Sequence, residues 1–137
     1  MIEKLKKRYM SCANIEWDTE RENLMSLSRA DCMISDFSGI IFDYTFLFDK
    51  PVFYVSYQFD LRPYDADDLD HTIWQFCTLE RIGIELKPEQ FLDIEAVIRS
   101  ARDITHLGNA RREAKAQAWQ YIGESGRRTV DFLLNVN

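Results

Sequence analysis

Ser35-Asp36-Phe37-Ser38-Gly39 is the segment of this chain whose residue types and spacing could do chemistry. A short apolar run, Cys32-Met33-Ile34, leads into it. Apolar residues then continue at helical length from Ile40 to Phe48, until Lys50-Pro51 stops them and Val52-Phe53-Tyr54-Val55 begins a second short run. Short apolar runs bounded by turn signals fit strands buried on both faces, as in a parallel sheet. A serine–glycine turn between such a strand and a helix leaves backbone N–H groups free at the helix N-terminus. The helix dipole adds partial positive charge there, so the turn is an anion site in waiting. In open α/β sheets, ligands bind at the carboxyl ends of the strands, where this turn falls. Ser38 alone also reads as an ordinary helix cap, and Asp43 alone as a carboxylate favoured by the dipole.

Other candidates are weaker. Asp65, Asp67, Asp68 and Asp70 follow Arg62-Pro63-Tyr64 in a polar, proline-broken stretch that reads as a surface loop. They lack the glycine and closing glutamate of an EF-hand, so no metal is expected there. His71 beside them could act as a base, but it reads better as an exposed or structural residue. Three cysteines without C-x-x-C spacing, and two histidines not at ligand spacing to them, argue against a disulfide framework and a structural zinc site. There is no G-x-S-x-G, P-loop or H-E-x-x-H pattern.

The elements that must position the turn follow from the periodicity. Ile2 to Met10 reads as the tail of an amphipathic helix, and Asn14-Ile15-Glu16-Trp17 as a short edge strand. Thr19 and Glu22 match a capping box, which opens a helix ending near Arg29-Ala30. After the central strand–turn–helix–strand, Ile82 to Leu86 resembles a last strand, and Pro88 opens a further helix. Asn109 to Tyr121 is built of good helix formers. A final helix from Arg127 to about Leu134 is expected to dock through Val130, Phe132 and Leu133. Phe42, Tyr44, Phe46 and Phe48 read as core, and Trp74 and Trp119 as packing residues. Helices alternating with about four strands predict an α/β fold with a parallel sheet.

The 137 residues suit one domain, with no internal repeat or linker. A net charge of −6 repels nucleic acid, so any phosphate site must be local. No run is long enough to span a bilayer, and Glu3-Lys4-Leu5-Lys6-Lys7-Arg8 lacks the apolar region of a secretory signal. The cysteine usage fits a reducing cytoplasm.

Ile34-Ser35-Asp36-Phe37-Ser38-Gly39-Ile40-Ile41-Phe42-Asp43-Tyr44, followed by Lys50-Pro51-Val52-Phe53-Tyr54, resembles the hallmark of the CDP-glycerol glycerophosphotransferase family. These are the teichoic-acid primases and polymerases of bacterial cell walls. Their pattern is approximately I-T-D-Y-S-S-x-x-F-D-Y, then K-P-x-x-F-Y. Asn14-Ile15, Ser28 to Asp31 and Gly123 to Arg128 extend the likeness more weakly. The resemblance implies a Rossmann-like parallel sheet with flanking helices, part of the C-terminal, nucleotide-binding domain of a GT-B-type fold. Residues 1–137 would form that portion as a single domain, with the N-terminal acceptor domain absent.

The resemblance further implies that Ser38 and Gly39 hold the CDP diphosphate, that Asp43 takes the ribose hydroxyls and that Asp36 shapes the turn, with Ser35 completing the motif. Arg62 is a partial echo of the family's arginine-glycine-aromatic segment and a candidate phosphate contact. The family's second serine is Gly39 here, and its histidine–proline motif is missing. The implied function is CDP-glycerol binding for glycerophosphate transfer in teichoic-acid or related cell-surface polymer synthesis. No catalytic residue is expected in this chain, which should be inactive alone, and no cofactor is expected. A second copy filling the gap left by the absent strands is one way to complete the sheet. The implied location is cytoplasmic or peripheral on the inner face of the cell membrane, the membrane being reached only through the full-length enzyme. Two other readings stay open: the donor domain of another GT-B glycosyltransferase using a nucleotide-sugar, and a non-catalytic α/β interaction module.

Overall fold

A computed structural model describes residues 1–56, 73–101 and 105–135. The chain divides into two compact units, Met1–Ala30 and Asp31–Asn137. The first holds two helices, α1 (Ile2–Arg8) and α2 (Leu24–Arg29). The expected edge strand at residues 14–17 is not formed; this stretch is irregular. The capping box is not formed either. Asp18 accepts the Glu20 N–H at 2.9 Å and the Ser26 hydroxyl, a local side-chain arrangement that competes with helix initiation at Thr19. The helix therefore starts later, after Asn23, without a side-chain cap. The Ser26 hydroxyl, and then the Glu20 N–H, hold the Asp18 carboxyl below its usual range.

The second unit is mixed α/β. Three strands, β1 (Met33–Ser35), β2 (Val52–Tyr54) and β3 (Ile84–Glu85), form a parallel sheet in the order β1-β2-β3. The register pairs Ile34 with Phe53 and Tyr54 with Glu85. Helix α3 (Ile40–Phe48) connects the first two strands, and α4 (Trp74–Ile82) precedes the third. A 3-10 helix (Pro88–Asp93), α5 (Ile94–Ser100), α6 (Thr105–Ala118) and α7 (Ser125–Asn135) complete the unit. Pro88 thus opens a tighter turn first, and the α-helix begins where the Asp93 side chain accepts the Ala96 N–H.

Alternation along β2 sets the layers. Val52 and Tyr54 pack with Ile41 of α3 and Leu79 of α4 on one face, joined by Met33 and Phe37. Phe53 packs on the other face with Leu86, Ala101 and the α5 residues Ile94, Val97 and Ile98. Outside the first helix layer, Phe46, Ile82 and Ala114 bring α6 against α3 and α4, with Phe42 and Trp119 around them. Ala114 is fully buried, so a larger side chain there would push the helices apart. The aromatic residues of α3 are core as expected: Tyr44 and Phe46 are buried, and Phe46 meets Trp119 edge-to-face at 5.8 Å.

Helix α3 ends at Asp49, whose φ of 50° is left-handed. Arg111 Nε donates to Asp49 Oδ1 at 2.7 Å and Arg111 Nη2 to the Asp49 carbonyl at 3.0 Å, while Arg112 Nη1 donates to Oδ2 at 3.1 Å. These bonds tie the end of α3 to α6. The docking expected of the last helix is not formed. Val130, Phe132, Leu133 and Leu134 of α7 are all exposed. Its first turn is held locally: Arg128 stacks on the Tyr121 ring at 3.7 Å, and Arg127 and Arg128 pair with Glu124. No described helix is long and apolar enough to cross a membrane.

Candidate functional site

The serine–glycine turn lies where the sequence places it, between the carboxyl end of β1 and the N-terminus of α3. Ser35 closes β1, and its carbonyl accepts the Val55 N–H at 3.0 Å. Helix α3 opens with short-range bonds: Ile41 N–H to the Ser38 carbonyl at 3.1 Å and Phe42 N–H to the Gly39 carbonyl at 3.0 Å. Gly39 holds the cap position, and no side chain caps the helix. Among the described residues, the N–H groups of Gly39 and Ile40 donate no hydrogen bond, and the Ser38 hydroxyl has no partner. These are the donors that an anion at a helix N-terminus would take.

Gly39 is exposed, with an ordinary helical φ of −55°. A Cβ built there would meet nothing within 4 Å. The serine of the family pattern would therefore fit at this position, and its replacement by glycine removes a hydroxyl without any steric reason. Asp43 is exposed in the first turn of α3, where the dipole favours its charge. The Asp36 carboxylate is also exposed. The turn is anchored by Phe37, which stacks on Phe76 of α4 with ring centroids 4.4 Å apart and packs against the core beneath it. Sequence reasoning missed this anchor, although an aromatic between two polar turn residues is a signal for one.

Five of the expected site residues, Ser35, Asp36, Ser38, Gly39 and Asp43, are thus gathered at one end of the sheet. Arg62, the acidic stretch after it and His71 lie outside the described residues. Sequence reasoning also missed a polar cluster at the same sheet end. The Ser56 hydroxyl and the Lys87 ammonium both donate to the Glu85 carboxylate, bridging the ends of β2 and β3. Lys87 first, then Ser56, hold the Glu85 carboxyl below its usual range. A groove in the first unit lined by Glu16, Asp18, Ser26, Arg29 and Ala30 contains none of the expected site residues. Among the described residues, no group of three metal-ligating side chains converges.

A parallel α/β sheet thus carries, after its first strand, a turn whose N–H groups donate no hydrogen bond among the described residues. The family model of CDP-glycerol:poly(glycerophosphate) glycerophosphotransferase matches residues 7–75, half of the chain, including β1, the turn, α3 and β2. The chain belongs to that family. Comparison with curated proteins and with solved structures gives no match.

Proposed function

We propose that this chain holds the CDP-glycerol donor of a glycerophosphotransferase, in the synthesis of teichoic acid or a related cell-surface polymer. One observation carries the reading: N–H groups and a Ser38 hydroxyl at the N-terminus of α3 that have no partner among the described residues, within the segment that matches the family. In this reading the diphosphate lies on Ser38 and Gly39. Asp43, one helical turn further, accepts from the ribose hydroxyls. Ser35 and Asp36 line the approach, and Arg62 is a further phosphate contact. The chain is the donor-holding part of a GT-B-type fold on the cytoplasmic side of the membrane, and the acceptor is held by a separate domain.

Transfer of glycerol phosphate moves the phosphorus from CMP to an acceptor hydroxyl, with CMP as leaving group. Positioning and neutralisation of the diphosphate supply most of such catalysis, and the turn contributes to both. A panel of donors tests the assignment. CDP-glycerol should bind the chain more tightly than UDP-sugars or CMP-sugars. Preference for a nucleotide-sugar would assign the site to glycosyl transfer instead, and no affinity for any of them would leave a module whose turn is only a helix start.

A further inference from the structure

We infer that Lys87 is a phosphate contact of the donor site, held in place by Glu85 and Ser56. This rests on the donor-binding reading above and adds the cationic group that the serine–glycine turn lacks. The described backbone segments that leave the carboxyl ends of the three strands are residues 36–39, 55–56 and 86–87. Among these described residues Lys87 is the single cation, and in the donor-binding reading it acts beside Arg62. The chain carries a net charge of −6, so a diphosphate approaching this edge needs a local positive charge. The cations on α6 that pair with Asp49 sit at the other end of α3, away from the turn.

The cluster has the form of a positioned ammonium. Tyr54 and Glu85 are register partners at the ends of neighbouring strands, and Ser56, two residues past Tyr54, reaches the Glu85 carboxylate. Ser56 occupies Glu85 Oε1 and Lys87 occupies Oε2. The Lys87 backbone is fixed as well, since its N–H donates to the Gln90 side chain at 2.7 Å. One of the three ammonium N–H groups is used on Glu85, which leaves two for phosphate oxygens. The Lys87 side chain remains 52% exposed, so a ligand can reach it. Neighbouring strands are spaced so that β1 and β3 lie roughly 10 Å apart, a gap that a lysine stem and a diphosphate bridge together.

The test compares CDP with cytidine by calorimetric titration of the full chain. Lys87→Met keeps the stem and removes the charge; Lys87→Arg keeps the charge. CDP affinity should fall about tenfold in Lys87→Met and return in Lys87→Arg, with cytidine affinity unchanged in both. Dependence of CDP binding on salt should also be weaker in Lys87→Met than in the wild type. An unchanged CDP affinity in Lys87→Met, or an equal loss for CDP and cytidine, overturns the assignment. Asp43→Ala separates the two readings. If it weakens CDP while Lys87→Met does not, the donor site stands without Lys87. If the wild type binds neither ligand, both readings fall.

Discussion

Gly83 closes the turn between α4 and β3, and replacing it with alanine should loosen the sheet end on which the Glu85–Lys87 cluster is built. Its φ of −123° is open to any residue, so backbone conformation gives no reason for glycine. Space does. A Cβ at Gly83 would lie 3.1 Å from Tyr54 Cδ1, 3.1 Å from Val52 Cγ1 and 3.3 Å from the Leu79 carbonyl oxygen. Two of those atoms belong to buried side chains of the central strand. The third accepts the Gly83 N–H at 3.0 Å and ends the helix. None can move without disturbing β2 or the end of α4. Overpacking of this kind costs about 1–3 kcal/mol. Alanine returns about 0.4–1 kcal/mol by restricting the unfolded chain. The net expected loss is about 1–2 kcal/mol, a fall in melting temperature of roughly 2–8 °C for a chain of this size. Urea denaturation followed by circular dichroism reads it directly. Gly39→Ala is the control, because its Cβ meets nothing. Gly83→Ala as stable as the wild type, with Gly39→Ala equal to it, would refute the packing argument.

Three further outcomes follow from the packing and the charges. Thr45 is buried and its hydroxyl has no hydrogen-bond partner among the described residues, so Thr45→Val should stabilise the fold by about 1 kcal/mol in the same denaturation assay; a loss would show that the hydroxyl is satisfied in solution. Asp49→Ala should cost about 2 kcal/mol, because it strips the carboxylate from Arg111, whose side chain is only 11% exposed, and puts alanine at a left-handed φ. Arg112→Ala should cost much less, since that side chain is 61% exposed. Burial pushes the Tyr44 and Tyr54 hydroxyls up to about 12. The unfolded chain would release these protons near pH 10 while the folded chain keeps them. Stability should therefore be complete below pH 10 and decline as pH rises from 10 towards 12. Melting curves across that range should decline less steeply for Tyr54→Phe; an equal decline would show that Tyr54 is not the group responsible.

The elements with local start and stop signals were legible in the sequence. Helix α3 runs from Ile40 to Phe48 as expected, because Gly39 precedes a mostly apolar stretch of helical length and Asp49-Lys50-Pro51 ends it. The strands at residues 33–35 and 52–54 were legible for the same reason. The stretch at residues 14–17 was misread because alternation over four residues says nothing about whether a neighbouring strand exists to pair with. Thr19 and Glu22 have the spacing of a capping box, but Asp18 offers closer hydrogen bonds to Glu20 and Ser26. The last helix carries an amphipathic pattern that does not say what covers it, and its apolar residues are exposed. At the site, the turn residues are contiguous in sequence and so could be read together. Ser56 and Glu85 are 29 positions apart and Asp49 and Arg111 are 62 apart, so these contacts exist only once register and helix packing are set.

Calorimetric titration of CDP-glycerol into the wild-type chain and into Asp43→Ala tests the central claim most directly. Binding in the micromolar to millimolar range by the wild type, clearly weakened in Asp43→Ala, is the expected result. A wild-type chain that melts cooperatively yet gives no heat with CDP-glycerol would contradict it.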